Sequence, residues 1–193
     1  MSFLDGLYTI TTNLTDIDRN QYNQLRFKVA KHPYETIEYM LTRILAYLHS
    51  YEEGLEFTQG LFDPKQPAIW EKDIVDEPIF WVEVGNPEKK RLYHATCNSN
   101  CRCRVYFYCQ EQVDEFCHDC VRGTANSWIN KIEFFYVNSN YEDIFQDGFP
   151  TRTNWEVTFV DGNVYFIIDG NELATTIQPL DIWSQYQLSI GNI

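Results

Sequence analysis

Hydrophobic and polar positions along this chain switch between a two-residue and a helical period. Leu7 to Leu14 alternates in part, with Leu7, Thr9 and Thr11 against Tyr8, Ile10 and Thr12. Gln24 to Val29 alternates again, with Leu25, Phe27 and Val29 on one face. Such alternation predicts two strands, joined here by the polar turn Asp16-Ile17-Asp18-Arg19-Asn20. The period then changes. Ile37, Met40, Leu41, Ile44, Leu45 and Leu48 form a broad apolar stripe at helical spacing, opened by Pro33 and ended near Gly54. Stepping 100° per residue puts Glu38 at the edge of the stripe, facing the sheet, and Glu35 on the polar side as a helix-start charge.

Three strand-like runs follow: Leu55 to Leu61, Ala68 to Lys72 and Ile79 to Val84. Asp63-Pro64-Lys65-Gln66-Pro67 and Asp76-Glu77-Pro78 separate them. A basic helix is predicted from Glu88 to about Thr96, then a strand from Arg104 to Cys109, a helix from about Gln110 to Val121, and a strand from Lys131 to Val137. Asp161-Gly162 between the alternating runs Trp155–Val160 and Asn163–Ile168 predicts a hairpin with a primed turn. The expected architecture is an α/β (mixed α+β) fold: a central mixed sheet flanked by helices, with β-hairpins at both ends. The expected organisation is one domain over 1–193, with the hairpins at about 7–30 and 151–178 and the core at about 33–138.

Within this pattern, Glu83 is out of place. Ile79-Phe80-Trp81-Val82-Glu83-Val84 is apolar apart from that one carboxylate. Alternation puts Trp81, Glu83 and Gly85 on one face and Phe80, Val82 and Val84 on the other. A buried carboxylate is costly without a cation or hydrogen bonds. Asp73, ten residues upstream, also has apolar neighbours. Two carboxylates on neighbouring strands are one way to hold Mg²⁺ or Mn²⁺.

Composition narrows the classes. The 193 residues carry a formal net charge of −13, from 15 basic and 28 acidic side chains. Nonspecific affinity for nucleic acid comes largely from Lys and Arg on phosphates, so the chain as a whole repels it. Lys89-Lys90-Arg91, with Arg102 and Arg104, is the local basic strip through which nucleic acid would bind; otherwise the expected partner is a protein. No apolar run reaches the roughly 18 residues of a membrane span, and the N-terminus shows no signal-peptide pattern, so a cytoplasmic location is expected. The sequence does not fix an oligomeric state. All six cysteines lie between Cys97 and Cys120. Cys117-His118-Asp119-Cys120 has a zinc-like spacing, with Cys97, Cys101 and Cys103 as further ligands, but most of these residues border or lie in predicted elements. They are read as ordinary thiols rather than as a Zn²⁺ site.

Several phrases together carry a resemblance: Asp16-Ile17-Asp18-Arg19-Asn20, His32-Pro33-Tyr34-Glu35-Thr36 with Glu38 and Met40, Arg43-Ile44-Leu45-Ala46, Phe57-Thr58-Gln59-Gly60-Leu61, Trp81-Val82-Glu83-Val84-Gly85 with Pro87 and Arg91, and Arg152-Thr153 before Asp161-Gly162. In this order and spacing they resemble the YaeQ family of bacterial proteins, which looks like a variant of the PD-(D/E)XK, restriction-endonuclease-like nuclease fold. The resemblance implies a metal site for Mg²⁺ or Mn²⁺ made of Glu38, Asp73 (or Asp76) and Glu83. It implies a lysine two positions after Glu83, where this chain has Gly85. His94-Ala95 stands where the family commonly has Lys-Ala. Glu83, His94 and Lys90 are therefore the expected catalytic groups. The implied function is a divalent-metal-dependent phosphodiesterase acting on nucleic acid. The alternative is a catalytically degenerate nuclease-fold module that acts as a protein-binding or regulatory factor.

Overall fold

A computed structural model of the chain describes residues 6–59, 63, 65–98, 100–121, 127–138 and 149–191. Its first helix, α1 (Ile37–His49), is unusual in being buried on every face from Met40 to Leu48. A helix with no solvated side needs a surface on all sides. Here one sheet curls around it. The strands are β1 (Leu7–Asp16), β2 (Gln21–Ala30), β3 (Glu56–Phe57), β4 (Ile69–Lys72), β5 (Pro78–Val84), β6 (Arg102–Phe107), β7 (Ile132–Val137), β8 (Arg152–Val160), β9 (Asn163–Ile168) and β10 (Asn171–Pro179). They form one ten-stranded sheet in the order β2-β1-β8-β9-β10-β7-β6-β5-β4-β3. Its two edges nearly meet: Phe27 of β2 and Phe57 of β3 have ring centroids 5.4 Å apart, and Tyr47 of α1 stacks on Phe57 at 4.5 Å.

The sheet is mixed. β5–β6–β7 are parallel, as is β1–β8, and the remaining pairs are antiparallel. Alternation divides the strands between two cores. Phe80, Val82 and Val84 of β5 face α1. Trp81 of β5, with Cys103, Val105 and Phe107 of β6, faces the outer helices. These are α2 (Lys89–Cys97), α3 (Gln110–Phe116) with a wide turn at Cys117–Val121, and α4 (Ile182–Gly191). The described residues are thus a mixed α/β assembly of one large, nearly closed sheet and four α-helices.

The expected end hairpins are not appendages. β1–β2 joins the sheet through the parallel β1–β8 pair. The expected C-terminal hairpin is instead a three-stranded meander. Asp161-Gly162 makes the predicted turn, with φ of 49° and 73°, and Asp169-Gly170 repeats it at 48° and 89°. Both pairs suit the left-handed conformation of a primed turn. The second turn sends β10 back along β9 and onto β7, which stitches the meander to the central strands. The strand expected from Leu55 to Leu61 is only Glu56–Phe57, and its last two positions lie outside the described residues. The helix expected to run to Val121 stays α-helical only to Phe116.

Polar groups close both ends of α1. Before it, Glu35 accepts the His32 amide at 2.8 Å and pairs with Arg43 Nη2 at 2.9 Å, which also donates to Ala30 O at 2.7 Å. This corrects the expected phase. Glu35 is buried and Glu38 only half-buried. The helix begins at Ile37 with Thr36 as its N-cap, so Glu35 precedes the helical repeat and does not follow it. At the other end, Arg19 is held by Asp16 at 2.6 Å and donates to Leu48 O in the last turn and to Tyr51 O just beyond it, at 3.5 and 3.3 Å.

Beside that cap, His49 Nδ1 lies 2.8 Å from Tyr106 Oη, which is also 2.9 Å from Ser50 Oγ. Burial first, then the nearby Arg104 and Arg19 charges, push the His49 imidazole down to about 4. A histidine depressed below its ordinary value near 6.5 contributes stability that is present above that value and is lost as pH falls toward 4. Urea midpoints measured between pH 7 and 4 are expected to fall along this limb. His49→Asn, which keeps a polar atom toward Tyr106, is expected to flatten it. An unchanged acid limb in the variant would contradict the assignment.

Candidate functional site: a cleft over the Glu83–Arg91 pair

β5 delivers Glu83 to the outer face of the sheet, 1% exposed. Two side chains meet its carboxylate. Trp81 Nε1 donates to Oε1 at 2.9 Å, Arg91 Nε lies 2.8 Å from the same oxygen, and Arg91 Nη2 donates to Oε2 at 2.9 Å. The two-pronged guanidinium contact is the strong form of this pairing. Burial pushes the Glu83 carboxyl up to about 7, against the opposing pull of Arg91 and of the Trp81 hydrogen bond.

Arg91 reaches the site because α2 turns its Arg91–Ala95 side toward β5. Lys90 and His94, four residues apart, stand on the rim. Between α2 and the β4–β5 hairpin is a cleft of about 410 Å³, lined by Trp81, Arg91, Lys90, His94, Ala95 and Cys101, with Lys65, Glu77, Pro78, Glu88 and Asn98 around them. Its size suits a side chain or a small ligand. Three cations border it in a chain of strongly negative net charge, although Arg91 is already engaged by Glu83.

The predicted residues divide. Glu83, Lys90 and His94 come together, the first beneath the cleft and the other two on its wall. Asp73 does not join them. It lies in the turn after β4, where its Oδ1 accepts the Val75 and Glu77 amides at 2.9 and 3.0 Å. Glu83 lies five residues beyond Pro78, roughly 16 Å along an extended strand. Asp76 has φ of 68° and pairs with Lys72 at 2.8 Å. Glu38 lies toward the end of β6; Tyr108 and Cys109 there resist ionisation first through burial and further through the Glu38 charge. Among the described residues, no three His, Cys, Asp or Glu side chains gather as a metal would need.

The strand register gives the reason. Ile69 pairs with Val82 and Trp70 with Trp81, so the next step sets Ala68 opposite Glu83. The Ala68 amide hydrogen-bonds the Glu83 carboxylate. The residue facing Glu83 across the β4–β5 pair therefore carries a methyl group and no carboxylate. The lysine position is likewise closed. Gly85 has φ of 78°, a left-handed conformation that would strain a lysine there. Sequence reading missed Arg91 as the counter-ion of Glu83. Its signal was available: Arg91 precedes the buried Ala95 by four, and a carboxylate in an apolar strand demands a cation.

The basic strip is divided by the sheet. Lys89–Arg91 lie on α2, on the outer face. Arg102 stacks over Phe80 with its guanidinium 4.2 Å from the ring centroid and pairs with Glu52, and Arg104 pairs with Glu133 at 2.6 Å. No disulfide links the cysteines among the described residues. No helix there is long and apolar enough to cross a membrane.

Comparison with known proteins agrees with this architecture. Residues 1–177 match the family model described as YaeQ protein. The uncharacterized protein YaeQ of Escherichia coli (strain K12) is 34% identical over 108 residues, covering 56% of this chain and 59% of that protein. Its counterpart from Salmonella typhi is 34% identical over 95 residues, covering 49% and 52%. The matched stretch thus spans little more than half the length of these relatives. The crystal structure of YaeQ from Pseudomonas syringae superposes with a TM-score of 0.74 at 29% identity, covering 91% of this chain and 95% of that one. The structure of YaeQ from Xanthomonas axonopodis pv. citri, 22% identical, shares the fold with a TM-score of 0.77 over 90% and 97%. With a family model matched over most of its length, this chain belongs to the YaeQ family.

Proposed function

We propose that this chain is a non-catalytic binding module: a nuclease-related scaffold in which an internal ion pair stands in place of a metal, and whose cleft docks an acidic segment of a protein partner. The order α1, β3–β4–β5, α2, β6 supports kinship with the PD-(D/E)XK core. The observation that carries the loss of catalysis is Ala68 opposite Glu83. A divalent cation needs several oxygen ligands, and hydrolysis needs it to activate water. One carboxylate, both of whose oxygens already serve Arg91, does not fit that role.

The same face favours a protein partner. Ile74 and Val75 stand exposed at the tip of the β4–β5 hairpin, fixed there by the Asp73 turn. Glu77 and Pro78, just behind them, border the cleft. Rigidly presented apolar side chains beside an aromatic, cation-rimmed cleft suit an apolar anchor followed by acidic residues.

Calorimetric titration with Mg²⁺ and Mn²⁺ is expected to give no saturable binding, and incubation with DNA and RNA no cleavage. Pull-down is expected to recover one stoichiometric partner that Ile74→Asp and Lys90→Glu both release. Metal binding and cleavage that Glu83→Gln abolishes would overturn this reading in favour of a metal-dependent phosphodiesterase.

A further inference from the structure

At the carboxyl end of α1, on the face of the sheet opposite the cleft, a chain of hydrogen bonds fixes where one proton sits. Arg104 Nη1 donates to Ser50 Oγ at 3.2 Å, since a guanidinium can only donate. Ser50 is 1% exposed, and among the described residues its own hydroxyl proton has one acceptor, Tyr106 Oη at 2.9 Å. Tyr106 then donates to His49 Nδ1 at 2.8 Å. The imidazole is neutral, because burial holds it down at about 4. With Nδ1 accepting, its one hydrogen is on Nε2. Among the described residues, nothing accepts that hydrogen.

The same ring lines a cavity of about 90 Å³ with Arg19, Arg104, Asp16 and Asp18, walled by Phe159. At roughly 30 Å³ per water, this is room for about three waters or one small oxyanion, and not for a nucleotide. The two carboxylates differ. Asp16 gives both oxygens to Arg19, at its amide and its Nε. Asp18 gives one to the Asp161 amide at 3.0 Å, and among the described residues the other meets no donor. Glu133 and Asp16 offset the two arginine charges, so selection in this cavity rests on hydrogen bonds and not on net charge. N–H donors face it from three sides, and one carboxylate oxygen waits for a proton.

We propose that this cavity binds inorganic phosphate in its singly protonated form, the bare oxygens accepting from His49 Nε2 and from the Arg19 and Arg104 guanidiniums, and the phosphate hydroxyl donating to Asp18. Sulfate has the same shape but carries no proton at pH 8, so it sets an oxygen against the Asp18 carboxylate. A bound phosphate ties the β1–β2 turn, which carries Asp18 and Arg19, to β6 and to the end of α1, and so stabilises the closed sheet. The site shares no residue with the cleft over Glu83, and its test is separate from that of the binding function.

The whole chain, labelled with ¹⁵N at histidine, is titrated at pH 8 with phosphate and with sulfate at constant ionic strength. The His49 Nε2–H resonance is assigned by its loss in His49→Asn. The expected result is a saturable shift of that resonance and a rising melting temperature with phosphate, and binding of sulfate weaker by roughly tenfold or more. Asp18→Asn keeps an oxygen for the Asp161 amide and offers the ion an N–H in place of the free carboxylate oxygen. It is expected to bring the two affinities within roughly threefold. A native chain whose His49 resonance does not move with phosphate would overturn the proposal. So would equal binding of the two ions by the native chain, or a preference that Asp18→Asn leaves unchanged. A shift at His94 alone would put the phosphate in the outer cleft and overturn it as well.

Discussion

Arg91→Ala is expected to lower the melting temperature by roughly 6–12 °C at pH 8, corresponding to about 3 kcal/mol. The variant leaves the Glu83 carboxylate buried without its counter-ion, retaining only the Trp81 and Ala68 donors. The dependence on pH identifies the cause. Burial already raises the Glu83 carboxyl to about 7 with Arg91 present, and removing the cation raises it further. A carboxyl whose folded value is raised contributes stability that is present below its unfolded value near 4.5 and is lost as pH rises through the folded value. The Arg91→Ala penalty is therefore expected to be smaller at pH 5.5, where the variant's Glu83 is neutral, than at pH 8. Denaturant melts of both proteins at the two pH values check this. An equal loss at both would mean that Arg91 stabilises by packing its stem and not by balancing Glu83.

The second large effect lies inside the sheet. Arg43 is almost wholly buried, as is its partner Glu35. Its guanidinium also sits 5.8 Å from the Phe57 ring centroid, close to where the two sheet edges approach. Arg43→Met is expected to cost about 3–5 kcal/mol, because it strands a buried carboxylate. The double variant Glu35→Leu/Arg43→Met removes both charges and is expected to be less destabilised than the single one, with only the His32 amide and Ala30 carbonyl left short of partners. Chemical denaturation of the three proteins tests this. A double variant weaker than Arg43→Met would show that the pair contributes more than its desolvation costs.

What the sequence reveals here follows from how local each feature is. Alternation and the Asp-Gly turn locate β1, β2, β5, β8 and β9, since both depend only on neighbouring residues. Asp169-Gly170 carries the same signal and turns the chain into β10, which the expected two-stranded hairpin does not include. Glu35 is buried and not on the polar side because helical phase is meaningful only from the first helical residue, and the Thr36 cap sets that point. Asp73 looks like a partner of Glu83 in the sequence because both sit among apolar residues. In an antiparallel hairpin, however, the facing residue is fixed by the turn and by the register shift between Glu71 and Lys72. Ala68, a residue with no chemistry to attract notice, holds the decisive position. Closure of the sheet depends on β1 meeting β8, some 140 residues later, and no local period encodes it.

That last pairing has a consequence for how the protein is made. β1 and β2 leave the ribosome early and can form their hairpin at once, yet β1 keeps a bare edge until β8 emerges. During that interval the aromatic faces around α1 lack their final cover. Folding that waits on such distant partners is slow and exposes strand edges to other chains. Nascent chains arrested before residue 152 should therefore engage chaperones, and chains extended past β10 should release them.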